Sequence, residues 1–119
     1  MQAHTRALVA ASAYAVITGK KVTGIYDHTA NEQLQIAAEC RGNRLQGADG
    51  ERLVAFGGTL PELYDQGDKA FISLEVDGAA ARGYDRGSES HYVAEVSDRL
   101  IRLYDHGESA WFTFEVLVD

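Results

Sequence analysis

Two segments of the chain place a histidine directly after an aspartate, at Asp27-His28 and at Asp105-His106. Carboxylate oxygens and imidazole nitrogens are ligands that zinc and other divalent cations accept in proteins. If the first and last repeated units of the chain meet in the fold, these four side chains would lie at the same rim. They are therefore candidate metal ligands, although no complete metal-binding motif surrounds them.

The aspartates of this pattern also have a purely structural interpretation. Tyr-Asp recurs at intervals of twenty residues, and the three segments that follow share the order Asp, any residue, Gly, polar: DQGD, DRGS and DHGE. An Asp that begins a turn accepts hydrogen bonds from the backbone N–H groups two residues on, and Gly readily adopts positive φ. The favoured prediction is a structural turn in each segment, formed by Asp65 and Gly67, Asp85 and Gly87, and Asp105 and Gly107.

Other residues with reactive side chains form no catalytic pattern. Cys40 occupies a repeat position that elsewhere holds valine, which predicts a small buried hydrophobe. The serines and histidines have no nucleophile-elbow or triad context, and the glycines have no nucleotide-binding spacing. No catalytic residue, cofactor-binding residue or cofactor is predicted. A row of glutamates indicates the solvated face of a sheet: Glu39, Glu75, Glu95 and Glu115.

The elements that must position these residues are copies of a fifteen-residue unit that ends in Asp. Each unit begins with alternating apolar and polar residues and has turn-forming residues at its centre, which is the pattern of a β-hairpin. With its linker, each hairpin spans about twenty residues. Clear copies begin at Ala13, Gln35, Phe71 and His91, a degenerate copy at Glu51, and a half copy at Trp111.

Two parts of the chain depart from the repeat. In the copy that begins at Glu51, Thr59 and Glu62 form a capping-box pattern and Pro61 cannot donate to a strand ladder. One helical turn over residues 60–65 and an interrupted meander are therefore expected. Residues 1–12 precede the repeats, and their Ala and Leu content favours a short helix that covers a barrel end over an extra strand.

The resulting prediction is one all-β domain over residues 1–119, with a lead segment at 1–12 and repeats at 13–119. Consecutive hairpins form an antiparallel meander, which would close into a barrel or fold into two packed sheets. Six hairpin-like units also leave a β-trefoil as an alternative.

Charge and cysteine content restrict the partners and the compartment. The net charge is −7 and no basic cluster is present, which argues against nucleic acid as a partner. No apolar run is long enough to span a membrane, so a membrane partner is not expected either. The N-terminal segment superficially resembles a secretory signal. However, Tyr14 onward matches the repeat, and the single cysteine suits a reducing cytoplasm.

Three functions remain open on these grounds. The favoured one is a non-catalytic interaction or structural module that forms a homo-oligomer or binds another protein. It rests on the many aromatic residues, among which Phe71 and Trp111 are out of phase with the core positions and should point outward. A small-molecule-binding β-barrel is the first alternative. An enzyme or a divalent-metal site on the Tyr-Asp rim is the second.

Overall fold

The computed structural model describes residues 1–118, which form one helix and twelve strands. The helix α1 comprises Ala3–Thr18. The strands are β1 (Val22–Asp27), β2 (Glu32–Leu34), β3 (Ile36–Arg41), β4 (Arg44–Asp49), β5 (Val54–Thr59), β6 (Glu62–Asp65), β7 (Ala70–Ser73), β8 (Glu75–Asp77), β9 (Ala80–Asp85), β10 (Ser90–Ser97), β11 (Leu100–Asp105) and β12 (Ala110–Val118).

Ten of these strands form one closed antiparallel barrel, and the predicted all-β barrel is thereby confirmed. Around the barrel the strands follow the order β10, β11, β12, β1, β3, β4, β5, β6, β7 and β9, and β9 pairs with β10 to complete the circle. The short strands β2 and β8 pair with β1 and β9. One continuous sheet replaces the two-sheet and trefoil alternatives, and closure leaves few exposed strand edges.

The hairpin repeats from residue 71 to residue 116 are confirmed. In β10 and β11 the register pairs Tyr92 with Asp105 and Ser97 with Leu100, around a two-residue turn. Alternate residues point into the barrel, where Ile72, Leu74 and Tyr92 are buried. The same alternation leaves Glu75 and Glu95 of the glutamate row exposed, and Glu39 and Glu115 are half-buried.

The expected helical turn over residues 60–65 was wrong. Residues Glu62–Asp65 form strand β6, which pairs with β5 through Phe56 and Gly57 and with β7 over four residues. The meander therefore continues through this copy. Pro61 lies in the turn between β5 and β6, where no ladder donor is required.

The assignment of residues 13–18 to a first hairpin was also wrong. Helix α1 continues through these residues, and Gly19 ends it with φ of 72° while its N–H donates to the Ala15 carbonyl. This left-handed C-terminal glycine is a common helix stop. Lys20 and Lys21 therefore connect a helix end to β1 and do not lie at the centre of a hairpin.

Helix α1 lies inside the barrel and does not merely cover one end. Every residue from Ala7 to Ala15 is buried, and the helix contacts strands on opposite sides of the barrel, including β1, β3, β9 and β11. A helix that is apolar on all sides requires such an enclosed position. Its sixteen residues extend roughly 24 Å, through most of a molecule whose extents are 32 × 31 × 29 Å. Within residues 1–118 there is no helix with the length and apolar character needed to cross a membrane.

Candidate functional site

Five buried aspartates form a ring at the barrel end that holds the N-terminus of α1. Each is the last residue of a strand, and each points inward: Asp27, Asp49, Asp65, Asp85 and Asp105. One carboxylate oxygen of every member accepts a hydrogen bond from the backbone N–H two residues on, at 2.9 to 3.1 Å. These are the hydrogen bonds that the turn prediction for Asp65, Asp85 and Asp105 requires, and Asp27 and Asp49 make them too.

The turn glycines do not adopt the positive φ that was expected of them. Positive φ occurs at the fourth residue after each aspartate, for example at Lys69, Glu89 and Ser109, and does not occur at Gly67, Gly87 or Gly107. Space explains glycine better. A Cβ atom on Gly67 would lie 2.6 Å from Arg52 Nη1, and one on Gly107 would collide with Ser90 Oγ.

Arg52 forms ion pairs with the second carboxylate oxygens of two ring members. Its Nε donates to Asp49 Oδ2 at 2.6 Å, and its Nη2 donates to Asp65 Oδ2 at 3.1 Å. Burial alone would lower the pKa of Arg52, but hydrogen bonds and charge from both aspartates outweigh it and raise the pKa above its ordinary value. The guanidinium thus stays charged between two buried carboxylates, which is a geometry that suits arginine.

Two cationic groups from the first six residues form ion pairs with Asp105. Its Oδ2 lies 3.0 Å from the Met1 amino group and 3.3 Å from Arg6 Nη1, and its side chain is fully buried. Burial would raise the pKa of Asp105, but the amino group, the Gly107 N–H and Arg6 together hold it below the ordinary value. The Arg6 guanidinium also stacks on the Phe112 ring, 3.8 Å from its centroid.

The remaining two aspartates differ from each other. Asp85 Oδ2 accepts a hydrogen bond from Ser88 Oγ at 2.6 Å. Asp27 is only 7% exposed, and its Oδ1 accepts from the N–H groups of Thr29 and Ala30. Within residues 1–118, however, no donor lies within hydrogen-bonding distance of its Oδ2 and no cation forms an ion pair with it. Asp27 lines a cleft of about 630 Å³ between the N-terminus of α1 and the β1–β2 and β4–β5 loops.

The four candidate metal ligands are not brought together. Successive residues of a strand point to opposite faces, so Asp27 and Asp105 face inward while His28 and His106 lie outside the barrel. His28 contacts Glu115 at 3.0 Å, and its ring makes an edge-to-face contact with Tyr26. The ring of His106 makes an edge-to-face contact with Tyr104, 4.8 Å between centroids. The Asp-His dipeptide therefore cannot act as a chelating pair.

The part of the chain that the structure describes contains one other group with metal-ligand spacing, His4, Asp65 and Asp68. His4 Nε2 lies 2.8 Å from Asp68 Oδ2, and Arg52 Nη1 donates to Asp68 Oδ1 at 3.4 Å. Burial would raise the pKa of Asp68, but His4, Arg52 and Thr5 outweigh it and lower the pKa. Because Arg52 already supplies positive charge here, this group is an internal ion-pair network.

Comparison with protein-family models, with curated proteins and with solved structures gave no match. The function must therefore be inferred from the residues of this chain.

The outer surface near the same rim carries an aromatic belt, which comprises Tyr26, His28, Tyr64, Phe71, Tyr84, His91, Tyr104, His106 and Trp111. Cross-strand pairs build it, with ring centroids 4.8 Å apart for Tyr64–Phe71, 4.6 Å for Tyr84–His91 and 5.2 Å for Tyr104–Trp111. The belt runs across seven neighbouring strands, from β6 to β1. Phe71 and Trp111 are 46% and 45% exposed, as predicted from their phase.

The other three strands of the barrel carry no aromatic residue at this level. Ala48, on β4, pairs with Ala37 of β3 on one side and with Ala55 of β5 on the other. Cys40, on the same side of the barrel, is only half-buried, and burial raises the pKa of its thiol. Cys40, which was predicted to be a small buried hydrophobe, packs against the core from this half-buried position, and its Sγ contacts the Gly42 carbonyl.

Sequence reasoning missed Arg6 and Arg52, which carry the positive charges that balance the ring, and Asp68, which pairs with His4 and Arg52. The contact of Arg6 with Asp105 spans 99 positions of sequence, and no local pattern predicts it. For Arg52 a signal existed. It lies three residues after Asp49, where the other turns have Ala30, Asp68, Ser88 or Glu108, so it is the one basic residue at that repeat position.

Proposed function

We propose that this protein is a non-catalytic interaction module that binds other protein surfaces through the aromatic belt, with a second copy of the chain as its first partner. The observation that carries the proposal is the continuity of half-exposed rings over seven adjacent strands. A rigid barrel filled by a helix holds these rings in fixed positions, which lowers the entropy lost on binding.

The composition of the belt supports this function. Tyrosine, tryptophan and arginine are enriched at the centres of protein interfaces. Arg102 lies over the Trp111 ring, 4.5 Å from its centroid, so its apolar stem and guanidinium extend the same surface. Charges of both signs also lie on this outer face, as in the exposed ion pair between Arg102 of β11 and Glu95 of β10. A surface that bears both signs of charge can pair with itself about a twofold axis.

The alternative functions have less support. A ligand in the barrel interior would have to displace α1, whose central residues are fully buried. An enzyme on the rim would need free acid and base groups, whereas four of the five ring aspartates already have partners for both oxygens. A cytoplasmic location, expected from the single cysteine, belongs to the same proposal.

The proposal is tested by light scattering coupled to size-exclusion chromatography over a hundredfold range of protein concentration. We expect a dimer or larger assembly whose population increases with concentration. Trp111→Ser and Phe71→Ser, each of which removes a half-exposed ring, should weaken the assembly by at least about tenfold, as central aromatic residues of interfaces do.

Leu53→Ser is the matched control, because Leu53 is the most exposed large apolar side chain of the described residues and lies outside the belt. This variant should assemble like the parent protein. A monomer at every concentration would overturn the self-association. Equal assembly of the Trp111 and Leu53 variants would show that the belt is not the interface.

A further inference from the structure

We infer that the cleft beside Asp27 is a binding site for a small organic cation, a primary ammonium or guanidinium group on a short apolar chain. This site is separate from the aromatic belt and does not depend on the proposed function. Asp27 is more than nine-tenths buried, it lines the cleft, and its Oδ2 has no hydrogen-bond donor within residues 1–118. Because Oδ2 has no partner and yet is not one of the fully buried unpaired oxygens, it retains contact with solvent, and a cation in the cleft can reach it.

The ring itself indicates which cations fit such a carboxylate. The second oxygens of Asp49 and Asp65 accept from the Arg52 guanidinium, and that of Asp105 accepts from Arg6 and from an ammonium group. The backbone turn around each aspartate is the same. At Asp27 the corresponding space is a cleft, so a ligand can supply the group that the chain supplies elsewhere.

The cleft has the electrostatic character that a cation requires. Glu32 and Glu51 also line it, and Asp49 is already paired with Arg52, so its walls retain an excess of negative charge. Field lines from clustered carboxylates in a concave site raise the local concentration of cations.

The apolar part of the lining selects an organic cation over a metal ion. Leu34, Ile36, Ala3 and Ala30 form part of the wall, and they would cover a short hydrocarbon chain. Calcium requires six or more oxygen ligands, but within the described residues no three carboxylates of the cleft lie close enough together to share an ion. The volume of about 630 Å³ lies within the range of small-molecule sites.

The experiment is a titration of the full chain, followed by NMR chemical shifts, with n-butylammonium and n-butylguanidinium as probes and with n-butanol and calcium chloride as comparisons. Saturable binding of both cations is expected, with shifts at Asp27, Leu34 and Ile36. Butanol should bind at least tenfold more weakly. Asp27→Asn, which keeps the turn acceptor and removes the charge, should weaken cation binding at least tenfold.

Asp85→Asn is the matched control, because Asp85 has the same place in the ring but does not line the cleft. It should bind the cations as the parent does. A second variant, Ala30→Lys, places a tethered ammonium beside Asp27 at an exposed position and should block the probes.

Several results would overturn the inference. They are no saturable binding of either cation, binding of butanol as tight as that of the cations, or unchanged cation affinity in both Asp27→Asn and Ala30→Lys. Binding of calcium at these residues without binding of the organic cations would also overturn it, in favour of a metal site.

Discussion

Asp27 and Asp105 are the same residue in two copies of one unit, and they differ only in what faces their second oxygen. Both follow a tyrosine, both end a strand that pairs with β12, and both hold a turn through Oδ1. Asp105 is sealed by the Met1 amino group and Arg6, whereas Asp27 lines a cleft. The turn is therefore common to both copies, whereas the group that faces the second carboxylate oxygen differs between them.

A second contrast lies on the outside of the barrel. Seven strands carry the aromatic belt, and the remaining three carry Ala37, Ala48 and Ala55 at the same level. The cleft beside Asp27 opens at the start of this alanine side, where β2 and β3 follow β1. The belt ends on β1 at Tyr26 and His28, which flank Asp27, so the two proposed binding surfaces adjoin at this strand but lie on its outer and inner faces.

The largest effect is expected at Arg52, whose guanidinium forms ion pairs with two buried aspartates. Arg52→Met leaves Asp49 and Asp65 buried without their cation, and removal of one partner from a buried ion pair costs about 3–5 kcal/mol. The unfolding free energy from urea titration should fall by that amount. Arg41→Met, which breaks an exposed pair with Glu39, should change it by less than about 1 kcal/mol. Equal losses in the two variants would contradict the sealed-ring interpretation.

Acid should destabilise the fold by protonating the carboxylates that cations hold ionised, Asp105 of the ring and Asp68 beside it. The folded-state pKa values of Asp105 and Asp68 are lowered, so their stabilisation is complete above the unfolded value of about 3.9. It is lost as pH falls from about 5 through the lowered folded-state pKa. Unfolding free energies measured between pH 7 and pH 3 should decline less steeply in Asp105→Asn than in the parent. Parallel curves would show that Asp105 is not stabilised by its cations.

A smaller effect should distinguish the stability contributed by the turn hydrogen bonds of Asp85 from that contributed by its charge. Asp85→Ala removes the acceptor for the Gly87 N–H and the partner of Ser88, which costs about 1–3 kcal/mol. Asp85→Asn retains an acceptor in the same place and should lose less than about 1 kcal/mol. Thermal unfolding of the two variants beside the parent provides the check. If Asn were as damaging as Ala, the charge and not the turn would explain the aspartate.

The regular part of the fold could be predicted from the sequence because its signals are local. Alternation and turn residues identified the hairpins from Phe71 to Val116, and the Asp-x-Gly pattern identified the turns. The first unit failed because Tyr14 and Val16 fit a strand alternation as well as a helix, whereas the enclosed position of α1 follows from barrel closure. The helical turn predicted from Thr59 and Glu62 is absent because strand pairing of β6 with β5 and β7 outweighs a capping box.

The candidate site could be predicted only in part for the same reason. The aspartates were found as a repeated position, but their inward direction also separates them from His28 and His106. The closing cations come from distant segments. Arg6 lies on α1, which reaches the ring only because the helix fills the barrel.

The most direct measurement compares Asp27→Asn with Asp105→Asn in one series of urea unfolding experiments. Asp105→Asn should lose about 3 kcal/mol, because the Met1 amino group and Arg6 lose their buried carboxylate. Asp27→Asn should lose less than about 1 kcal/mol, because the turn acceptor remains and no internal cation loses its partner. Equal losses in the two variants would contradict the claim that Asp105 is neutralised by internal cations and that Asp27 is not.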